Sequence, residues 1–180
     1  MLISAERSCL FVVDMQSRLL PAMHDADTIL QNCRILLQAA ARRAVPILAV
    51  ELNPGGIGKT VEPVASLVPE GAIMEKVHFS SHAEAEVRTR VAATGRHQMV
   101  VAGMEAHVCV LQTAIEFAEA GYETFVVSDA TASRTPENHA AALGRLAANG
   151  VEAVTTEMVV FEWLHRTDVP EFRDLLQLIK

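Results

Sequence analysis

The stretch QMVVAGMEAHVCVLQTAIEFAEAGYETFVV, residues 98–127, holds one full repeat of the architecture. It opens on the apolar run Gln98–Ala102, which does not alternate with polar residues, the pattern of a strand buried on both faces. Gly103 follows. From about Val108 to Ala120 the apolar residues recur at helical spacing, and Gly121 stands where a C′ residue closes a helix. Tyr122–Val127 is then a second apolar strand. A strand, a helix and a strand in that order form a βαβ unit, whose strands pair in parallel.

The same unit recurs on either side. Upstream, Cys9–Val13 and Pro46–Val50 read as strands, with Ala72–Met74 beginning a third. Between the first two lies a helix capped by Asp25 or Asp27, with Ile29, Cys33, Leu36, Leu37 and Ala40 on one face and Arg42 and Arg43 in its last turn. Asn53–Gly58 is an irregular loop by composition, followed by weak helical character around Val61–Val68. Ser81 and Glu84 have capping-box spacing for a helix running to Thr94 and Gly95. Downstream, Thr135-Pro136 supplies an N-cap and first helical residue for an Ala-rich helix ending at Asn149-Gly150. Val151–Thr155 is a sixth strand, and Thr156–Leu164 and Asp168–Ile179 are closing helices, the last with an Asp168-x-x-Glu171 box. Six strands alternating with helices predict a three-layer α/β/α sandwich around a six-stranded, mostly parallel sheet, as one domain over residues 1–180.

Composition narrows the function. The 180 residues carry 15 Lys and Arg against 22 Asp and Glu, a formal charge of −7. That balance argues against a nucleic-acid binder, whose footprint is basic. Half the residues, 51%, are hydrophobic, and no run approaches the roughly 20 residues of a membrane span. The three cysteines, Cys9, Cys33 and Cys109, form no C-x-x-C pair. With the short apolar run after Arg7, too brief for a signal peptide, they point to a reducing cytoplasm.

Ligands of open α/β sheets bind beyond the carboxyl ends of the strands, so polar residues just after strands are the candidates. Cys109 lies where the loop after the fourth strand turns into a helix. Helix amides there would lower its thiol pKa and favour a thiolate; the other reading is a small buried hydrophobe, as for Cys9 and Cys33. Asp14 ends the apolar strand LFVVD, where a carboxylate needs partners. It is either a base or orienter, or a turn residue. Lys76, by default a surface lysine, would complete a charge-balanced trio with the other two. His78, His82 and His107 lack a metal-ligand spacing. Asp129–Ser133 reads as a turn capping the next helix.

At these residues the chain resembles the isochorismatase-like cysteine hydrolases, which include nicotinamidases and N-carbamoylsarcosine amidohydrolase. FVVDMQ (11–16), EKVHFSS (75–81) and VVAGMEAHVCVLQTAIEFAEAGYETFVVSDATASR (100–134) resemble the family's three site-bearing segments, and the likeness covers nearly the whole chain. It implies an Asp14, Lys76 and Cys109 triad, a cis Met104–Glu105 peptide, and an oxyanion hole made by the backbone amides of Glu105 and Cys109. Leu19, His78, Phe79 and His107 are the expected pocket lining.

Two departures carry meaning. Ala106-His107 stands where many members have Thr-Asp, which alters the pocket wall. Glu51-Leu-Asn53 stands where nicotinamidases carry an Asp-x-His metal motif, which argues against a bound metal and against nicotinamide as substrate. The expectation is a hydrolase of a small amide or carbamoyl compound that needs no metal or cofactor and proceeds through a thioester. The alternatives are a vinyl-ether hydrolase and a non-catalytic scaffold that keeps the fold. The apolar excess in Met158–Leu164 adds the expectation of a homo-oligomer, dimer or tetramer, that engages neither nucleic acid nor membrane.

Overall fold

The computed structural model describes residues 1–179. In chain order the elements are β1 (Ser8–Val13), α1 (Ala26–Arg42), β2 (Ile47–Leu52), the short helices α2 (Pro54–Ile57) and α3 (Glu62–Ala65), β3 (Ile73–Lys76), α4 (Ala85–Ala93) and β4 (Gln98–Met104). A π turn over Ala106–Val110 leads into α5 (Leu111–Glu119), followed by β5 (Glu123–Ala132), α6 (Pro136–Ala148), β6 (Glu152–Val154), α7 (Thr156–Leu164) and α8 (Phe172–Leu178). The strands form one sheet in the order β3-β2-β1-β4-β5-β6, and every pairing is parallel.

The expected α/β architecture is therefore present, and its apolar runs have the anticipated cause. Every residue of β1, β2 and β4 is buried, because helices cover the sheet on both sides: α1 packs with α3 and α7, and α5 with α6. Phe117 of α5 meets Phe11 of β1 edge-on, with ring centroids 5.2 Å apart. Trp163 is core, its indole N–H donating to Ser8 Oγ at 3.0 Å. Among the described residues no helix is long and apolar enough to cross a membrane.

The chain runs outward from β1 through β2 to β3, then returns to place β4 on the other flank of β1. The carboxyl ends of β1 and β4 thus lie side by side where the strand order reverses, the place where such sheets bind ligands. Val13 pairs with Gly103. Gly103 has φ of +118°, and a Cβ there would sit 2.0 Å from the Val13 carbonyl oxygen, so no side chain fits at this crossing.

Several local expectations are corrected. The third strand does end on Lys76 as expected, pairing it with Leu52, but other strands differ. The fifth runs to Ala132, with a bulge that shifts its register against β4 between Val101 and Gly103, so Asp129–Ser133 is no turn capping α6. Asp129 instead accepts the Thr156 amide and hydroxyl at 2.7 and 2.9 Å and caps α7. The Ser81–Glu84 capping box does not form. Ser81 lies in a 3-10 turn, Glu84 is itself the N-cap of α4, and the Ser81 amide and hydroxyl are both engaged by Thr113 Oγ1. Asp168 pairs with Arg166, and α8 starts only at Phe172. Asp25 holds the N-cap place of α1 without a side-chain cap bond, its carboxylate accepting the Thr28 hydroxyl instead. Thr135 caps α6 through the Asn138 amide as expected.

Candidate functional site

Asp14 follows β1 in the left-handed region, φ 51°. Its amide still donates to Val50 in the sheet, while its carbonyl accepts the Gln16 amide at 2.7 Å. This tight turn directs the side chain across the strand ends. Gln16 secures it: its amide nitrogen donates to the Leu52 and Gly58 carbonyls at 3.0 and 2.6 Å, and its oxygen accepts the Leu52 amide at 2.8 Å. The sequence reading passed over Gln16. Its place in FVVDMQ, two residues beyond the buried aspartate, was the available signal.

Lys76 is the last residue of β3, and it reaches Asp14 with an Nζ–Oδ2 distance of 2.8 Å. Both side chains are fully buried. An ammonium has three protons to place, and the other two go to the carbonyls of His78 and Phe79, at 3.2 and 3.1 Å. A buried ion pair with its donors satisfied avoids the cost of an unpaired interior charge. The segment after β3 is itself pinned. Glu84 accepts the Val77 amide and the His78 amide and imidazole at 2.9, 3.2 and 2.8 Å. These bonds, the Val77 amide foremost, hold its pKa down to about 2. Ser80 Oγ donates to Glu116 of α5 at 2.6 Å.

Cys109 lies in the π turn at the head of α5, 4% exposed. It lies near enough to Asp14 for the carboxylate charge to raise its pKa. Asp14 Oδ1 is buried and has no hydrogen-bond partner among the described residues. The lowered thiol pKa expected from the helix N-terminus is reversed. Burial first, and then the Asp14 charge, push Cys109 up to about 12, with Lys76 opposing. Desolvation of a thiolate and a carboxylate within reach together outweigh the helix amides. Burial likewise raises the Asp14 pKa, against the pull of Lys76. The resting trio is therefore a thiol beside an ammonium–carboxylate pair.

The Met104–Glu105 peptide is cis, as the resemblance implied. The Glu105 carbonyl accepts the amides of Val108 and Val110 at 3.0 and 3.2 Å. Its carboxylate is gripped by Arg134, another residue that sequence reasoning left unassigned. His107 turns Nδ1 to Ser133 Oγ at 2.9 Å. The four expected lining residues take no side-chain part in the trio's hydrogen bonds. Leu19 is half-buried against the core, the His78 ring faces Glu84, and Phe79 is 54% exposed. His107 stays on the Cys109 loop. Beside Lys76, a cavity of about 230 Å³ is bordered by Asn53, Pro54, Gly55, Glu75 and Glu84. Glu51, where the metal motif of nicotinamidases would fall, accepts the Thr60 amide at 2.6 Å.

The chain matches the isochorismatase domain over residues 8–158. It is 32% identical to isochorismatase domain-containing protein 1 of Danio rerio over 99% of its own length, and it spans only 62% of that relative. Among solved structures, the MAR1 ribonuclease of Caenorhabditis elegans superposes with a TM-score of 0.93 at 29% identity, covering 99% of this chain and 92% of the other. The YcaC gene product of Escherichia coli, described as an octameric hydrolase of unknown specificity, has a TM-score of 0.89 at 22% identity, covering 98% and 95%; at that identity it attests the fold alone. The domain match takes in all six strands and the segments that carry Asp14, Lys76 and Cys109, and with it the chain belongs to the isochorismatase domain family, a membership that supports a hydrolase.

Proposed function

We propose that the protein is a cysteine hydrolase of small amide or carbamoyl compounds that works through a thioester on Cys109. One observation carries the reading: a buried Lys76–Asp14 pair at 2.8 Å leaves a carboxylate oxygen without a partner among the described residues, near the Cys109 thiol. Burial raises the proton affinity of Asp14 and so suits it to accept the thiol proton as sulfur attacks the carbonyl carbon. Lys76 keeps the negative charge in the pocket compensated. The amides of Glu105 and Cys109, at the start of the π turn where helix N–H groups lack intrahelical partners, receive the developing oxyanion. The C–N bond then breaks, and the departing amine takes the proton from Asp14. Water then attacks the thioester carbon and gives a proton to Asp14; the C–S bond breaks, the acid departs, and that proton returns to the Cys109 sulfur. No step is assigned to a metal.

The test is a screen of small amides, carbamoyl compounds and vinyl ethers against the wild type and Cys109→Ala. Turnover of an amide that vanishes in the variant supports the reading; turnover unchanged in the variant ends it. Single-stranded RNA belongs in the same screen, because the Caenorhabditis elegans neighbour bears a ribonuclease name. The formal charge of −7 opposes binding of a polyanion, so no cleavage of RNA is expected.

The protein is further expected to assemble with copies of itself as a dimer or tetramer. Met158 and Phe161 of α7 are 46% and 39% exposed, one turn apart on the same helical face. A light-scattering mass of one chain at micromolar concentration would refute it.

A further inference from the structure

The two residues that follow β5 reach back over the Cys109 loop, and the proposed reaction uses neither. The β5 bulge sets this up: it pairs Thr131 with Gly103 and Ala132 with Met104, so that Ser133 and Arg134 emerge alongside Glu105. Arg134 Nε and Nη2 donate to Glu105 Oε2 and Oε1 at 2.8 and 3.2 Å, a two-pronged grip. The Arg134 side chain is 61% exposed and the Glu105 side chain 11%, so an exposed cation reaches in to hold a nearly buried anion. Next to it, Ser133 Oγ holds His107 Nδ1 at 2.9 Å, and His107 Nε2 lies 4.0 Å from the same Glu105 Oε2. Residues 105 and 107, on the loop that leads to Cys109, are thus tethered by their side chains.

We propose that Arg134 is a positioning residue: through the Glu105 carboxylate it keeps the Glu105 amide aimed at the oxygen that becomes negative when Cys109 attacks a carbonyl. The inference rests on the proposed function. A bidentate guanidinium fixes both the direction and the plane of a carboxylate, which a single contact does not. A group donating to a transition-state charge has to be held within about 0.5 Å of its productive place. Released from Arg134, the Glu105 carboxylate is an uncompensated charge at a largely buried position, and the side chain turns toward water. Its own peptide moves with it.

Two reagents separate this role from a structural one. Attack of Cys109 on p-nitrophenyl acetate passes through an oxyanion and releases p-nitrophenolate. Attack on iodoacetamide displaces iodide at a saturated carbon and forms no oxyanion. In Arg134→Gln, acylation of Cys109 should fall about 10- to 100-fold, while alkylation should stay within about twofold, as suits an exposed substitution. Arg134→Lys should recover part of the acylation rate, because it keeps the charge and loses the fork. An equal fall in both reactions, or no fall in acylation, overturns the inference. If wild-type Cys109 is never acylated, the proposed function fails and this inference with it. If the wild type is acylated and Arg134→Gln matches it, the inference alone fails.

Discussion

Asp14→Asn should make Cys109 more reactive toward alkylating agents even as it abolishes hydrolysis. Cys109 is held up to about 12 by burial and by the Asp14 carboxylate, with Lys76 opposing. With that pKa only about one thiol in 10⁴ is ionised at pH 8, against roughly a quarter for a free cysteine. The substitution removes the carboxylate charge, keeps the shape, and leaves the Lys76 charge to favour the thiolate. Two unit charges about 4 Å apart, at an effective dielectric constant of about 20, interact by about 4 kcal/mol. That corresponds to roughly three pKa units, enough to bring Cys109 down to about 9. A thiol of lower pKa is also a weaker nucleophile, which cancels about half of the gain on a logarithmic scale. The alkylation rate at pH 8 should therefore rise about 30-fold. The assay is iodoacetamide labelling followed by mass spectrometry, in which Cys9 and Cys33 remain unlabelled because both are fully buried. Unchanged or slower labelling of Cys109 in a folded Asp14→Asn protein would refute the electrostatic account of the trio.

The other expectations concern stability. Lys76→Met leaves Asp14 buried without its counter-ion and should cost about 3–5 kcal/mol in urea unfolding at neutral pH, with a smaller loss at acid pH where Asp14 takes up a proton. Gly103→Ala, with a Cβ 2.0 Å from the Val13 oxygen, should cost about 4 kcal/mol or more, or prevent folding; a midpoint within experimental error of wild type would contradict the β1–β4 crossing. Glu84 has its pKa depressed to about 2 from 4.5. The stability it contributes is present above the unfolded value and lost as the pH falls through the folded one. Hydrogen exchange at Val77 and His78 should accelerate between those two limits, and Glu84→Gln should abolish that pH dependence.

The parallel sheet and the places of Asp14 and Cys109 just past strands were legible in the sequence because each depends on short-range pattern, whereas Lys76 joined them through the family resemblance. Runs such as Cys9–Val13 and Gln98–Ala102 lack alternation because both faces of the sheet are covered, and the polar residue just past a run marks a strand's carboxyl end. The capping box at Ser81 misled for the converse reason. A box is a local preference of about 1 kcal/mol, and a tertiary partner outbids it: Thr113 takes Ser81, and the strand-end amides take Glu84. Gln16 and Arg134 carry no periodic signal at all, since what defines them is a neighbour distant along the chain.

Taken alone, the order of residues determined which segments become strands, that the strands pair in parallel, and which polar groups stand at their ends, because those properties follow from side-chain periodicity and chain connectivity. Only the folded chain decided the state of those groups. Whether a cysteine at the head of a helix is a thiolate depends on how much water the fold removes and which charges it brings near, and here burial and a carboxylate 95 residues away along the chain keep the proton on sulfur.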